Sequence, residues 1–389
     1  MKKYIYYSTI FSICTEAFLI HFVIDLKLFY LIILVNFSIL AITENLRISK
    51  GLVIFYGYLL FSGFIGVLLG TNHVINVFSQ FFGIFFISLY YYNFYKIYED
   101  QIPKVIQDYV YLCFGLVVIG LPIYFIQILN GNFEGFHSIL SERMNYGALV
   151  LPAFFYSLKN KTFPRYVYQM ILLSIVLTGS SIVLISLGVG ILLIPKRIKI
   201  VKLVTLLSIV IVLFFALYYS YGNFRLRIDD TSKGLVQKDL SGVNLSTYAI
   251  LSNLYITSKS FERNPILGSG LGSHEVSHET YIEEIDGIGD FENYINLNSK
   301  DANSLFLRVL SDMGLLGITA VFLFIRRFYT KYQTNENLNF ISKAILIYFF
   351  CKLFRLGHYF SPEMFFFVFG YYFSNRYLYL NTEYDYKFK

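Results

Sequence analysis

Charged side chains are scarce in this chain of 389 residues, where Asp, Glu, Lys and Arg together make up 15%. A soluble domain carries about 25% of such residues, so the deficit disfavours a soluble globular protein. Hydrophobic residues make up 56% of the chain and form repeated long runs. These runs are about 15–25 residues long, which suits helices that cross a bilayer, whereas barrel strands are shorter and alternate with polar residues. The sequence therefore predicts an all-α, polytopic helical membrane protein.

Tryptophan is absent, and the three cysteines form no recognisable pair. Cys14, Cys113 and Cys351 each lie in an apolar run, without the spacing of a redox or zinc motif, so they indicate no redox compartment. The formal net charge is +7, which by itself could suggest a nucleic-acid partner. The basic residues lie in short segments beside the apolar runs, however, as topology signals do. We therefore expect a lipid bilayer around the chain and no nucleic acid.

The apolar runs predict about 12 membrane-spanning helices. They cover residues 4–24, 28–42, 51–70, 74–95, 105–129, 145–158, 167–178, 181–194, 200–221, 315–325, 338–354 and 364–379. The pair 167–194 is expected to be interrupted at Thr178–Ser180, and the segment 315–325 to begin earlier, within 303–314. Lysines and arginines concentrate in alternate connections, which predicts that both termini are cytoplasmic. The expected organisation is spans 1–9 in residues 1–221, a large outer loop in 222–303, and an amphipathic segment with spans 10–12 in 304–389.

The predicted outer loop contains a glycine-rich turn, NPILGSGLGS, at residues 264–273. Glycines allow backbone N–H groups to approach an anion closely, so Gly268 and Gly270 are candidate phosphate contacts. A structural turn is the alternative. Arg225 and Arg227 follow the ninth predicted span, where they can bind phosphate or extend towards lipid headgroups.

An H-E-x-x-H match directly follows this turn, in His274-Glu275-Val276-Ser277-His278. Histidines four positions apart on a helix can share a zinc ion, and a helix is expected from His274 to about residue 286. A third ligand is not evident, and the segment lies in a short loop without a soluble protease domain. A membrane metalloprotease is therefore kept only as an alternative, and no metal or other cofactor is expected.

The two edges of the loop together resemble a known family. Pro265, Gly268 and Gly270 form a P-x-x-G-x-G turn, and Asp301 and Asn303 precede an amphipathic segment that ends in the sequence Gly314-Leu-Leu-Gly317. This pattern resembles the O-antigen polymerase and ligase superfamily, over about 50 residues of close match. Ligases have His before the loop-end Asn, where this chain has Ala302, and many members have Ser-Arg where it has Ser180-Ser181. The resemblance therefore favours the Wzy-type repeat-unit polymerase branch, with a GT-C-like fold.

The resemblance implies an enzyme of the inner membrane that acts on undecaprenyl-pyrophosphate-linked oligosaccharides at its outer face. The growing O-antigen or capsule glycan would pass from its lipid pyrophosphate to a new lipid-linked repeat. A chain-length regulator and a flippase are possible partners. The alternatives are an O-antigen ligase and a transporter or flippase of the same lipid-linked sugars.

Such a transfer requires cations for the pyrophosphate and a base for the acceptor hydroxyl. The candidate bases are Asp301, His274 and His278, although a helix cap is an equally good interpretation of Asp301. The candidate pyrophosphate-binding residues are Arg143, Arg225, Arg227, Arg263, Arg308, Arg355, Gly268, Gly270 and Asn303.

Overall fold

A computed structural model of the protein describes residues 1–21, 25–132, 135–194, 208, 212, 215–216, 218–220, 222–237, 240, 243–285, 294–330 and 336–387. Within these residues the chain is almost entirely helical. The helices are α1 (Lys2–Ser12), α2 (Leu28–Thr43), α3 (Lys50–Leu68), α4 (Val74–Ile97), α5 (Ile102–Leu129), α6 (Arg143–Lys159), α7 (Arg165–Leu177), α8 (Ser181–Leu193), α9 (Gly222–Gln237), α10 (Leu245–Arg263), α11 (His274–Tyr281), α12 (Leu305–Phe328), α13 (Glu336–Phe354) and α14 (Met364–Lys387). Short 3-10 helices cover Glu99–Gln101 and Ile282–Glu284, and strands β1 (Leu19–His21) and β2 (Asp25–Lys27) pair antiparallel.

Four helices in the described part of the chain are long and apolar enough to cross a membrane. They are Lys50–Leu68, Val74–Ile97, Glu99–Leu129 and Leu305–Phe328, and shorter apolar helices cover Leu28–Thr43, Arg165–Leu177 and Ser181–Leu193. The prediction of a helical membrane protein is thus supported, but the predicted number of 12 spans is wrong for these residues. The ninth predicted span, 200–221, lies largely outside the described residues.

The first predicted span, 4–24, shows why run length overestimates the number of spans. Helix α1 ends at Ser12, and the chain then turns into the β1–β2 hairpin. Glu16, inside the apolar run, lies 3.2 Å from the ammonium group of Lys27. A carboxylate in an apolar run needs such a partner, and folding the chain back on itself supplies one.

Two local predictions are confirmed by the helix boundaries. Helix α7 ends at Leu177 and α8 begins at Ser181, so the interruption falls at Thr178–Ser180, where Gly179 has φ +58°. Helix α12 begins at Leu305, within the expected range 303–314.

The main core of the described chain lies around α13, which packs against α6, α8 and α14. It is rich in buried tyrosine and phenylalanine side chains. The loop region has a separate small apolar cluster, formed by Leu240, Val243, Tyr248, Leu251, Ile256, Ile282 and Ile285. Part of the polar loop therefore folds around a core of its own.

The α3–α4 pair shows that the bundle has two distinct ends. At one end Thr71 and Asn72 donate side-chain hydrogen bonds to the carbonyls of Ser269 and Leu271, in the glycine-rich turn. At the other end of α4 the Tyr98 hydroxyl donates to the Lys2 carbonyl. The basic N-terminal residues therefore lie at the end of the bundle remote from the polar loop.

Candidate functional site

Helix α12 is broken at Gly314, where φ is +60° and ψ is −154°. The glycine-rich turn supplies the hydrogen bonds that the break removes. On the N-terminal side, the N–H of Ser269 donates to the Ser311 carbonyl at 2.9 Å and that of Gly270 to the Asp312 carbonyl at 2.8 Å. Carbonyls at a helix end otherwise lack partners, so the turn acts as a cap.

The same turn also satisfies the C-terminal side of the break. The N–H groups of Leu315 and Leu316 donate to the carbonyls of Pro265 and Ile266, at 2.9 and 3.1 Å. A Cβ atom added to Gly314 would lie 2.6–2.7 Å from backbone atoms of this turn. Glycine is therefore required both by its conformation and by the close approach of the two backbones.

The predicted anion-binding role of Gly268 and Gly270 does not fit this geometry. Both residues have positive φ, at +70° and +103°. The N–H of Gly268 donates to the Asn264 carbonyl at 3.0 Å, and that of Gly270 is bonded to Asp312. A Cβ at Gly268 would collide with the backbone of Met313. The two glycines therefore serve the junction between the turn and the broken helix.

Asp312 is a completely buried carboxylate beneath this junction. It accepts four hydrogen bonds, from the N–H groups of Gly272 and His274 at 3.0 and 2.9 Å, the Ser273 hydroxyl at 3.2 Å and the Tyr359 hydroxyl at 2.8 Å. A buried carboxylate is tolerated when its oxygens are so bonded. Asp312 therefore joins the turn to the α13–α14 connection.

Arg308 is also buried, with a side chain 3% exposed. It donates to the Gly357 carbonyl at 3.1 Å and to Gln80 Oε1 at 2.9 Å, and it lies over the Tyr359 ring at 4.1 Å. Its Nε atom is 3.8 Å from Asp312. The predicted phosphate ligand is thus enclosed by protein, and it holds the segment 357–359 in place.

Asp301 lies at the end of the polar loop, just before α12, where the α13–α14 connection packs against it. Its Oδ1 accepts from the Asn303 N–H at 3.0 Å, and its Oδ2 lies 3.1 Å from Nε2 of His358. The helix-cap interpretation of Asp301 is wrong, because Ser304 is the N-cap of α12 and accepts from the Leu307 N–H.

The backbone around Asp301 is tightly constrained. Ala302 and Asn303 both have left-handed conformations, with φ of +56° and +57°. Asn303 is buried, and its amide nitrogen has no hydrogen-bond partner among the described residues. A Cβ at Gly357 would collide with the Asp301 carbonyl. These contacts fix the Asp301 carboxylate beside His358, the residue that follows Gly357.

His358 combines an accessible side chain with a neutral ring. Its side chain is 54% exposed, against 11% for Asp301. Although the side chain is half exposed, the protein atoms packed around the ring lower the pKa of His358 below its usual value, and the Asp301 carboxylate acts in the opposite direction. Lys352, Arg308 and Lys27 lower the pKa further. A histidine that is neutral at pH 7 and oriented by a carboxylate has the features of a general base.

Two of the predicted arginines lie near this pair. Burial is the main effect that lowers the pKa of Arg355, the charge of Arg143 lowers it further, and Glu142 and Asp301 act in the opposite direction. Both arginine side chains are half-buried. Arg355 donates to the Ser246 hydroxyl at 3.3 Å, and Arg143 begins α6. Arg355 therefore lies within electrostatic range of both Asp301 and Arg143.

Charged residues within apolar segments surround the site. Lys352 lies 2.7 Å from the Ser361 hydroxyl and 3.6 Å from Glu363, and Glu363 also accepts from the Tyr348 hydroxyl at 3.0 Å. Glu16 pairs with Lys27 and accepts from the Asn145 amide at 3.0 Å. No role was predicted for Glu16 or Lys352. Their signal in the sequence is a charge in an apolar run, which marks functional positions in membrane proteins.

The remaining predicted arginines lie elsewhere. Arg225 is on α9, with a side chain 60% exposed and 3.7 Å from Asp229. Arg263 is exposed at the end of α10 and lines a small depression with Gly70 and Thr71. The side chain of Arg227 lies outside the described residues.

The H-E-x-x-H segment forms a helix, α11, as predicted, but the helix ends at Tyr281 and continues as a 3-10 turn to Glu284. His274 and His278 are 0% and 1% exposed. His274 Nε2 is 2.9 Å from Asn253 Oδ1, while neither ring nitrogen of His278 has a partner in the described chain. Burial lowers their pKa values to about 3 and about 4, respectively. Both rings are therefore neutral and enclosed by protein.

The described residues contain no group of three His, Cys, Asp or Glu side chains placed to hold a metal ion. No protein-family model matches the chain, and no curated protein is significantly similar to it. Any functional assignment has to be argued from the site itself and from the motif resemblance.

Proposed function

We propose that the protein is a glycosyltransferase that polymerises lipid-linked oligosaccharide repeats, with Asp301 and His358 as its catalytic pair. The observation that carries the proposal is the 3.1 Å contact between Asp301 Oδ2 and Nε2 of an accessible, neutral His358. Arg355 lies within electrostatic range of Asp301, and Arg143 within electrostatic range of Arg355. A base and fixed cations are the two requirements of glycosyl transfer from a pyrophosphate.

In this proposal His358 acts as the base. With Nε2–H directed at Asp301, its Nδ1 carries the free electron pair and accepts the proton of the acceptor sugar hydroxyl. The acceptor oxygen forms a bond to the anomeric carbon of the growing chain, while the bond from that carbon to the pyrophosphate oxygen breaks. Asp301 holds the imidazole in the required tautomer and stabilises the imidazolium that forms, as carboxylates do in histidine-dependent hydrolases.

Arg143 and Arg355 receive the leaving group. Pyrophosphate departs with the bonding electron pair, so negative charge grows on its oxygens during the reaction. Guanidinium groups stay charged and bind phosphate oxygens in a bidentate manner. Preorganised cations of this kind lower the barrier where charge develops. Asn303, whose buried amide nitrogen has no partner among the residues that the structure describes, contributes to this part of the site.

The proposed substrate is an oligosaccharide on undecaprenyl pyrophosphate, presented at the outer face of the inner membrane with both protein termini in the cytoplasm. An apolar, multi-helix surface suits a lipid carrier, whose polyprenyl chain remains in the bilayer. A flippase would supply the substrate, and a chain-length regulator would limit the product. His274, His278, Arg225 and Arg263 have no part in this mechanism.

Deleting the gene in its host and separating the surface glycan on a gel tests the proposal. A polymerase defect leaves single lipid-linked repeats and no long chains. Free polymer that never reaches its anchor indicates a ligase, and the absence of repeats at the outer face indicates a flippase. Complementation with Arg355→Gln should fail, whereas Arg263→Gln, which changes an exposed arginine away from the site, should restore long chains.

A further inference from the structure

A cavity of about 280 Å³ lies at the end of the bundle remote from the polar loop. Its lining includes Lys2, Arg47 and Lys96 together with the amides of Asn45 and Asn93. This volume is close to that of the smallest small-molecule sites, about 300 Å³, and suits a small polar headgroup. It is formed where the α2–α3 connection packs against α1 and the end of α4.

The cavity carries an excess of positive charge. Lys2 pairs with Glu44 at 2.8 Å, and Glu99 is shared between Lys96 and Arg376. The backbone of Arg47 exchanges hydrogen bonds with the Asn93 side chain, at 2.8 and 3.1 Å.

The guanidinium of Arg47 takes part in none of these ion pairs. It has no ion-pair partner among the described residues, although its backbone is anchored on both sides. The cavity thus contains a guanidinium outside these ion pairs, carried on an anchored backbone. A guanidinium is suited to bidentate contact with phosphate.

Apolar side chains flank the cavity on the same connection. Ile42, in the last turn of α2, is 85% exposed, and Ile48, in the α2–α3 connection, is 50% exposed. The two residues flank the lining residues 44–47 in the sequence. A soluble anion makes no favourable contact with such apolar side chains, whereas the acyl chains of a lipid would cover them. Topology signals require only positive charge near a span and do not require a cavity.

We propose that this cavity binds the phosphate of an anionic phospholipid headgroup, with Arg47 as the principal contact and Lys2 and Lys96 around it. The lipid belongs to the leaflet opposite the polar loop. Basic pockets between membrane helices bind such headgroups in other proteins. This inference is independent of the proposed polymerase, because the cavity and the Asp301–His358 site lie at opposite ends of the bundle.

Native mass spectrometry of the full-length protein, released from vesicles of phosphatidylglycerol mixed with phosphatidylcholine, tests the proposal. Wild-type protein should retain phosphatidylglycerol, and Arg47→Gln should retain about fivefold less, the effect of one basic residue near an anionic lipid surface. Arg47→Lys should keep most of the binding. Arg225→Gln, which removes an exposed arginine on α9, should bind as wild type.

Equal retention of the two lipids by wild type, or equal loss in Arg47→Gln and Arg225→Gln, would overturn the proposal. Competition separates lipid from free phosphate: inorganic phosphate at millimolar concentration should not displace phosphatidylglycerol. If it does, the cavity is a site for small anions and the lipid assignment is wrong. Arg47→Lys guards against misfolding, since a variant that folds and keeps the charge must also keep the lipid.

Discussion

The Asp301 carboxylate lies 3.1 Å from Nε2 of His358, although one residue precedes α12 and the other follows α13. The two helices therefore return the chain to the same point. The contact joins the end of the polar loop to the α13–α14 connection, and it places a neutral, oriented imidazole at an accessible position.

Asp301→Asn tests the orienting carboxylate directly. We expect the substitution to reduce polymerisation by about 10²–10⁴-fold, the usual contribution of a positioned base, because an amide can stabilise the wrong histidine tautomer. Incorporation of labelled repeats into long chains by purified protein measures this. Glu279→Gln, at an exposed acid on α11, is the matched control. If Asp301→Asn polymerises at the wild-type rate, the pair is not catalytic.

The pH dependence of the reaction tests His358. The base is active when neutral, and desolvation of the ring lowers the pKa of His358 below the usual value of about 6.5. Activity should therefore be nearly constant from about pH 6.5 to pH 8 and should fall only at lower pH, as the imidazole becomes protonated. Initial rates across this range give the profile, and His358→Gln should abolish activity at every pH. A midpoint near pH 6.5 or higher would contradict the assignment.

The buried histidines of α11 should make the protein sensitive to acid. Their pKa values are lowered to about 3 and about 4, so the folded state keeps them neutral while the unfolded chain protonates them near pH 6.5. Their contribution is fully present above pH 6.5. It is lost as the pH falls towards 4, by up to about 1.4 kcal/mol per pH unit for each histidine.

Thermal unfolding in detergent between pH 7.5 and 4.5 measures this loss. His278→Gln should flatten the dependence, and His73→Gln, at an exposed histidine, should leave it as in wild type. An unchanged slope in His278→Gln would show that other groups dominate acid unfolding.

The junction at Gly314 predicts a large effect of a single methyl group. Gly314→Ala places a Cβ 2.6 Å from backbone atoms of the turn, at a residue with φ +60°. We expect a loss of about 2–5 kcal/mol from strain and overpacking together. Gly57→Ala is the control, because Gly57 lies within α3 and has open space around it. Unfolding midpoints of both variants measure the difference, and equal midpoints would refute the junction.

Apolar run length predicts most helices well because it reports directly on which segments avoid water. The second span was expected at 28–42, and α2 is Leu28–Thr43. The first span fails because Glu16 and Lys27 form a pair that only the folded chain reveals. Run length does not register a single charge pair that turns the chain back.

The glycine-rich turn was correctly singled out by its sequence, but for a different purpose. Spacing shows that something approaches Gly268 and Gly270 closely, and it does not show what. The approaching group is the backbone of the broken helix α12 at Gly268 and the backbone of α3 at Gly270. The partner of Asp301 was equally hidden, because its contact with His358 depends on how α13 packs and not on local sequence.

The double attachment of the 264–273 turn has a mechanical consequence. Moving the turn away from α12 would break four backbone hydrogen bonds together, each worth about 0.5–1.5 kcal/mol. The turn and the broken helix therefore behave as a single rigid body. Arg308 and Asp312 attach Gly357 and Tyr359 to the same body, so the Asp301–His358 pair is held in a fixed position relative to the turn.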